Sequence, residues 1–214
     1  MPKRNDAPLL HPGVLSEEQN ALLPLVQHFF DSFGLVGGTA VALQIGHRRS
    51  IDFDLCTVAV FDNEHIRERV RRFGRIEHVF MDRLGEYTIV VGGVKVTFFH
   101  YPFPIEFELR FSGVVPMADL LTLAGMKAYA LGRRAKWKDY VDIFFVIKAG
   151  YSILDIVKTA KGIFGNEFNE KLFRAQLSYF DDIDYSEEVI FLEGFETKKK
   201  VIQEVLVRAS VQGV

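Results

Sequence analysis

The sequence is poor in cysteine, in net charge and in long apolar runs, and each shortage excludes a class of protein. Cys56 is the only cysteine, so the chain can form neither an internal disulfide nor a cysteine metal cluster, and a reducing cytoplasm fits. A formal net charge of -2 differs from the strongly basic balance of nucleic-acid-binding domains, so any polynucleotide contact must be local. The longest apolar stretches, such as 143–147, are far below the ~20 residues of a membrane-spanning helix. The N-terminal segment is too short and too broken by proline for a signal-peptide core, so we predict a cytoplasmic protein without a membrane segment.

The remaining composition is that of an ordered globular chain. With 214 residues, 49% of them hydrophobic and 13% aromatic, the chain can bury roughly 70% of its unfolded surface in one domain or two closely packed halves. We predict an irregular lead over residues 1–13, a mixed sheet core over 14–115 and a helical half over 116–214 that packs on the core and completes a cleft.

Local patterns predict an α+β fold, with a mixed sheet flanked by helices and followed by helices. The strand signals are short apolar or alternating runs, two of them joined by a Gly-Gly hairpin, at 33–36, 51–56, 75–81, 87–91 and 94–99. The helix signals have apolar positions three and four apart and lie at 16–32, 40–46, 62–73, 117–131, 139–148, 153–161, 167–177 and 197–209.

The most informative stretch joins a glycine turn to an acidic strand. Gly37 and Gly38 lie between a strand and a helix, where backbone amides and the positive end of a helix can approach a phosphate. Asp52 and Asp54 alternate with apolar residues, so both face one side of a strand and can bind a divalent cation. Such a pair alone is typical of a solvated sheet face. Together with the glycine turn, it indicates phosphoryl or nucleotidyl transfer.

Two blocks of the sequence resemble a known family. Residues 37–40 (Gly-Gly-Thr-Ala) and 46–54 (Gly-His-Arg-Arg-Ser-Ile-Asp-Phe-Asp) are similar to the signature of the AbiEii/AbiGii toxin family, within the polymerase-beta-like nucleotidyltransferases. Residues 127–142 resemble that family's second block, and the likeness spans about 33–148. The resemblance implies a nucleotidyltransferase core, magnesium or manganese, a nucleoside triphosphate, and a toxin with an antitoxin partner. The acceptor stays open among RNA, for example tRNA, a protein hydroxyl and a small molecule.

The second block adds charged residues at helical spacing. Lys127 lies on an otherwise apolar stripe, either with its amine reaching water or with its ammonium directed at a triphosphate. Asp139 is typical of a helix N-terminus. Asp142 lies one turn further among apolar residues, where capping does not explain a carboxylate, and we interpret it as functional.

The third carboxylate that this superfamily commonly has on a later strand is missing from 94–99. Asp142, Glu106 or Glu108 can replace it, the site can hold a single metal, or catalysis can be lost. Nucleotide transfer therefore competes with a non-catalytic nucleotide-sensing or antitoxin-binding function on the same fold. For the enzyme, the predicted metal ligands are Asp52 and Asp54; the predicted catalytic residues are Asp52, Asp54, Lys127 and Asp142; the predicted nucleotide-binding residues are Gly37, Gly38, Thr39, Arg48, Ser50 and Lys127.

Overall fold

The computed structural model describes residues 9–111 and 115–213, so most of the predicted N-terminal lead lies outside it. Its strands are β1 (Gly34–Val36), β2 (Asp52–Thr57), β3 (Ile76–Arg83), β4 (Glu86–Val91), β5 (Val94–His100), β6 (Leu109–Phe111) and β7 (Val115–Met117). Its α-helices are α1 (Glu17–Gln27), α2 (Gly37–Ile45), α3 (Asn63–Val70), α4 (Leu120–Leu131), α5 (Trp137–Lys148), α6 (Ile153–Phe164), α7 (Glu170–Gln176) and α8 (Lys199–Ser210).

The strands form one mixed sheet in the order β3-β4-β5-β2-β1-β7-β6. Strand β2 lies near its centre, antiparallel to β1 and parallel to β5. Because side chains alternate along a strand, Phe53 and Leu55 enter the core while Asp52 and Asp54 lie on the other face. In the parallel register, Asp52 pairs with Lys95 and Asp54 with Thr97.

The helical half packs against the sheet through α2. Helix α2 contacts β2 as well as α4 and α5, and α4 also packs against α6. Helix α4 begins after Asp119, whose carboxylate accepts a hydrogen bond of 2.7 Å from the backbone N–H of Thr122. Within the described ranges, no helix is long and apolar enough to cross a bilayer.

Several element boundaries differ from the sequence prediction. The helix predicted over 117–131 starts at Leu120, because 115–117 form β7, which pairs parallel with β1 through Met117 and Leu35. The turn predicted at Gly37 and Gly38 is itself the first turn of α2. The predicted helix 16–32 ends at Gln27, and turns that carry buried Phe29 into the core lead on to β1.

Candidate active site

A cavity of about 530 Å³ opens between the polar face of β2 and helices α4 and α5. Asp52, Asp54, Gly37 and Gly38 all line it. Its volume is in the range of small-ligand sites. The structure thus brings the acidic pair and the glycine-led start of α2 into one cleft, as strand alternation predicts. The use of this cleft in catalysis stays a prediction.

Asp54 is a half-buried carboxylate whose ionised form a bound cation would stabilise. Its side chain is half-buried, and no hydrogen bond to its carboxylate is found among the described residues. Burial, and then the negative charge of Asp52, raise the pKa of Asp54 from 3.8 to about 6. A cation bound between the two carboxylates would favour the ionised form of Asp54 and so offset both the burial and the repulsion from Asp52.

Asp52 forms an ion pair with Lys95, a residue that the sequence patterns did not indicate. The ammonium of Lys95 lies 2.6 Å from Asp52 Oδ2, and both side chains are partly exposed. Only the parallel register of β2 and β5 brings these two residues together. The amine therefore neutralises Asp52 where a metal ion would otherwise do so.

Thr39 connects the first turn of α2 to the start of β2 and is not among the residues that line the cleft, so its contact with nucleotide stays a prediction. Its buried hydroxyl donates a short hydrogen bond to the carbonyl of Asp52 and lies 2.9 Å from the hydroxyl of Ser50. The first turn of α2 is thereby joined to the start of β2. Ser50 and Arg48 do reach the cavity.

A buried ionic network underlies the cleft and is centred on Asp142. The Asp142 carboxylate accepts hydrogen bonds from Arg48 Nε at 2.7 Å and Nη2 at 2.8 Å, and Lys127 Nζ lies 2.7 Å from its Oδ2. Burial favours a raised pKa, but Arg48 and Lys127 outweigh it and hold the pKa of Asp142 well below its usual range. His47 Nε2 lies 2.7 Å from Oδ1; burial lowers the pKa of His47, so a neutral ring donates this bond.

The structure gives Asp142 a structural partnership, and its catalytic role stays a prediction. Its side chain is fully buried against Arg48, Lys127 and His47 and does not line the cleft. It positions Arg48 and Lys127.

Lys127 is buried, which contradicts an amine that reaches bulk water, while its contact with a triphosphate stays a prediction. Its side chain is only 9% exposed, so the amine does not reach bulk water. Nζ is held by Asp139 Oδ1 at 2.7 Å as well as by Asp142. Asp139 is thus a buried partner of Lys127 in addition to its place in the first turn of α5. Lys127 does line the cleft, but with its charge already compensated.

None of the three residues proposed as a replacement for the missing third carboxylate, Asp142, Glu106 and Glu108, lines the cleft. Glu106 and Glu108 are exposed and do not line the cavity. Glu187 does line it, from the connection between α7 and α8, and no local pattern could have predicted this. In the described part of the chain, no group of three or more acidic, histidine or cysteine side chains is arranged as a metal site. A cation here would have two protein carboxylates, Asp52 and Asp54.

The rest of the cleft is divided between cations and aromatic rings. Near its mouth lie Arg133, Arg134, Lys136 and Lys138. The apolar wall includes Phe99, Tyr101, Met126 and Tyr129, and the Arg133 guanidinium lies 3.7 Å from the centre of the Tyr129 ring. Phe164 stacks on the Tyr129 ring at 4.0 Å, so both faces of Tyr129 are covered, and the apolar surface for a flat ring is that of Phe99, Tyr101 and Met126.

Gly37→Ala tests the contact between the glycine turn and Asp54. Gly37 has φ +72°, and an added Cβ would lie 2.1 Å from Asp54 Oδ2. We expect the variant to lose at least ~10-fold in magnesium-dependent nucleotide affinity, measured by calorimetry, because the carboxylate must move by more than a hydrogen-bond geometry tolerates. Gly93→Ala is the control, with the same φ of +72° and no atom within 4 Å of the added methyl group. Equal affinities for both variants would contradict the predicted contact.

Comparison with known proteins supports the fold. No protein-family model matches the chain. Over 172 residues it is 28% identical to an uncharacterized protein of Aquifex aeolicus (strain VF5), aq_aa25, covering 78% of this chain and 82% of that protein.

Among solved structures, a candidate nucleotidyltransferase from H. pylori superposes with a TM-score of 0.61 and 17% identity, covering 91% of this chain and 94% of that one. MenT4, the nucleotidyltransferase toxin Rv2826c of Mycobacterium tuberculosis H37Rv, superposes with a TM-score of 0.56 and 11% identity, covering 92% and 85%. At these identities the likeness concerns the fold, and the AbiEii/AbiGii resemblance stays a prediction. The predicted α+β class with a mixed sheet core is confirmed, and the chain has the nucleotidyltransferase fold.

Proposed function

We propose that this protein is a magnesium-dependent nucleotidyltransferase that transfers a nucleoside monophosphate from a nucleoside triphosphate to an acceptor. The observation that carries the proposal is the placement of Asp52 and Asp54 in one cleft with the glycine-led N-terminus of α2. Carboxylates on one side and free backbone amides on the other are the groups that a metal-bound triphosphate needs.

The two carboxylates fit a magnesium ion. Asp54 is half-buried with a raised pKa, and Asp52 lies beside it. Magnesium commonly takes one or two protein carboxylates and completes its coordination with water and substrate phosphates. When bound by Asp52 and Asp54, magnesium or manganese neutralises charge on the phosphates and lowers the pKa of an acceptor hydroxyl.

The remaining residues of the cleft bind and orient the substrate. Amides at the start of α2 face the triphosphate, and Arg48, held in place by Asp142, adds a charge beneath Gly38. The base packs against the wall that contains Phe99 and Tyr101. An acceptor oxygen attacks the α-phosphorus in line, the bond to the bridging oxygen breaks, and pyrophosphate leaves.

The finer assignment is a toxin of the AbiEii type, acting in the cytoplasm and neutralised by an antitoxin protein. The sequence resemblance supports it, and MenT4, which shares the fold, is a nucleotidyltransferase toxin. The proposed acceptor is an RNA, for example tRNA, or a protein hydroxyl.

A non-catalytic nucleotide sensor or antitoxin-binding protein is the second candidate. It is favoured by strand β5, which presents Lys95 and Thr97 opposite the two aspartates and no carboxylate. In that case the cleft binds nucleotide without transferring it.

One experiment separates the candidates. The pure protein is incubated with each α-labelled nucleoside triphosphate, magnesium and total RNA, with EDTA as the control, and label is followed in RNA and in protein. Magnesium-dependent label in either acceptor supports the transferase. Nucleotide binding by calorimetry without label in any fraction supports the sensor. Absence of both binding and transfer contradicts both.

A further inference from the structure

Two lysines at the start of α5 share one carboxylate at the cleft mouth. Lys136 immediately precedes the helix and Lys138 lies in its first turn, and both line the cavity. Lys136 Nζ bonds Glu187 Oε1, and Lys138 Nζ lies 3.2 Å from Oε2. Each oxygen of Glu187 therefore faces a different member of this lysine pair.

Backbone hydrogen bonds hold the segment that carries Glu187 next to the lysine pair. Residues 177–198 connect α7 to α8 and are anchored on both sides of Glu187. On one side, Asp184 donates to the carbonyl of Ala135 at 2.7 Å and accepts from the N–H of Trp137 at 3.0 Å. On the other side, the carbonyl of Ile190 accepts from the N–H of Arg49 at 2.9 Å. The Glu187 side chain between these anchors is 39% exposed, so it can leave the lysines without unfolding the connection.

The lysine pair differs from the deeper cations of the cleft. Arg48 and Lys127 are committed to Asp142 and Asp139 through a buried network, and their release would be costly. The ion pairs of Glu187 are half-exposed, and pairs of that kind are weak. A phosphate, with more negative charge and more acceptor oxygens than a carboxylate, can therefore displace Glu187.

We propose that Lys136 and Lys138 form a phosphate subsite for the triphosphate, and that Glu187 occupies this subsite until the nucleotide displaces it. The inference rests on the proposed function of the cleft. Hydrogen bonds from the two lysines outweigh burial and lower the pKa of Glu187 to about 2, so the competing group is an anion at every physiological pH.

Glu187→Gln tests the subsite, because the amide keeps the shape and loses the competing charge. We expect it to bind inorganic tripolyphosphate, and a nucleoside triphosphate with magnesium, roughly 3- to 10-fold more tightly than wild type in calorimetry, the range for removing a weak ion-pair competitor. Glu188→Gln is the matched control, with the same charge change at the neighbouring exposed residue, which does not line the cleft. The gain should be absent when Glu187→Gln is combined with Lys136→Met and Lys138→Met.

Three outcomes overturn the inference, and they distinguish its failure from that of the proposed function. If wild type binds the nucleotide but Glu187→Gln binds no more tightly than Glu188→Gln, the competition is disproved and the proposed function stands. A weaker Glu187→Gln complex disproves it in the same way and shows that the carboxylate supports binding. If wild type binds neither tripolyphosphate nor any nucleotide, the proposed function itself fails.

Discussion

Asp54→Asn is expected to lower magnesium-dependent transfer by at least ~100-fold, since one electrostatic contact to the developing charge is worth roughly 3 kcal/mol. Asparagine keeps the size of the side chain but removes one of the two carboxylates that strand β2 presents to the cleft. The measurement is the initial rate of label transfer at saturating nucleotide and magnesium. Asp181→Asn is the control, because Asp181 is exposed and does not line the cleft. Transfer within a few-fold of wild type would remove Asp54 from the mechanism.

Without metal, Asp54→Asn is expected to keep or raise the melting temperature although it lowers transfer. A substitution that damages the fold would lower both. The pKa of Asp54 is raised to about 6, so its contribution to stability is present below its unfolded pKa near 3.8 and is lost as pH rises through 6. Asp54→Asn should therefore melt at or above the wild-type temperature in EDTA at pH 7.5. This advantage should disappear near pH 4. A lower melting temperature at pH 7.5 would show that the ionised Asp54 carboxylate has a stabilising partner within the protein.

Asp142→Asn is expected to lower the free energy of unfolding by about 3 to 5 kcal/mol, the cost of removing one partner from a buried ion pair. Arg48 and Lys127 would keep their charges in the interior with one carboxylate fewer. Urea unfolding at pH 7 measures the loss, again with Asp181→Asn as the control. A loss below ~1 kcal/mol, the value of an exposed pair, would contradict the buried network.

The pH dependence of the stability loss in Asp142→Asn follows from the lowered pKa of Asp142. The stability that the ionised carboxylate contributes is present above its unfolded pKa, near 3.8, and is lost as pH falls through its much lower folded pKa. The difference between wild type and Asp142→Asn should therefore be constant from pH 5 to 8 and shrink only below about pH 4. A difference that instead vanished near pH 6 would assign the effect to His47.

Lys127 and Asp142 have charged partners that their positions along the chain do not reveal. Helical spacing correctly placed the lysine on a buried stripe of α4 and the aspartate one turn into α5. Spacing does not say which charges meet, because the partners Arg48 and Asp142 are 94 residues apart. Asp142 was interpreted as functional because burying a carboxylate is unfavourable without a partner. In the structure, Arg48 and Lys127 offset this desolvation penalty, so no substrate contact is needed to explain the residue.

Local sequence patterns were sufficient to predict the features that depend on neighbours along the chain. Period-two alternation placed Asp52 and Asp54 on one face of β2, and the glycine pair marked the start of α2, because both follow from local backbone geometry. Which groups share the cleft with the two aspartates depends on long-range packing. Lys95 reaches Asp52 through strand register, and Glu187 reaches the lysine pair through a connection 51 residues from Lys136. Side chains so far apart in sequence are brought together by packing of the whole domain, and no local pattern carries that information.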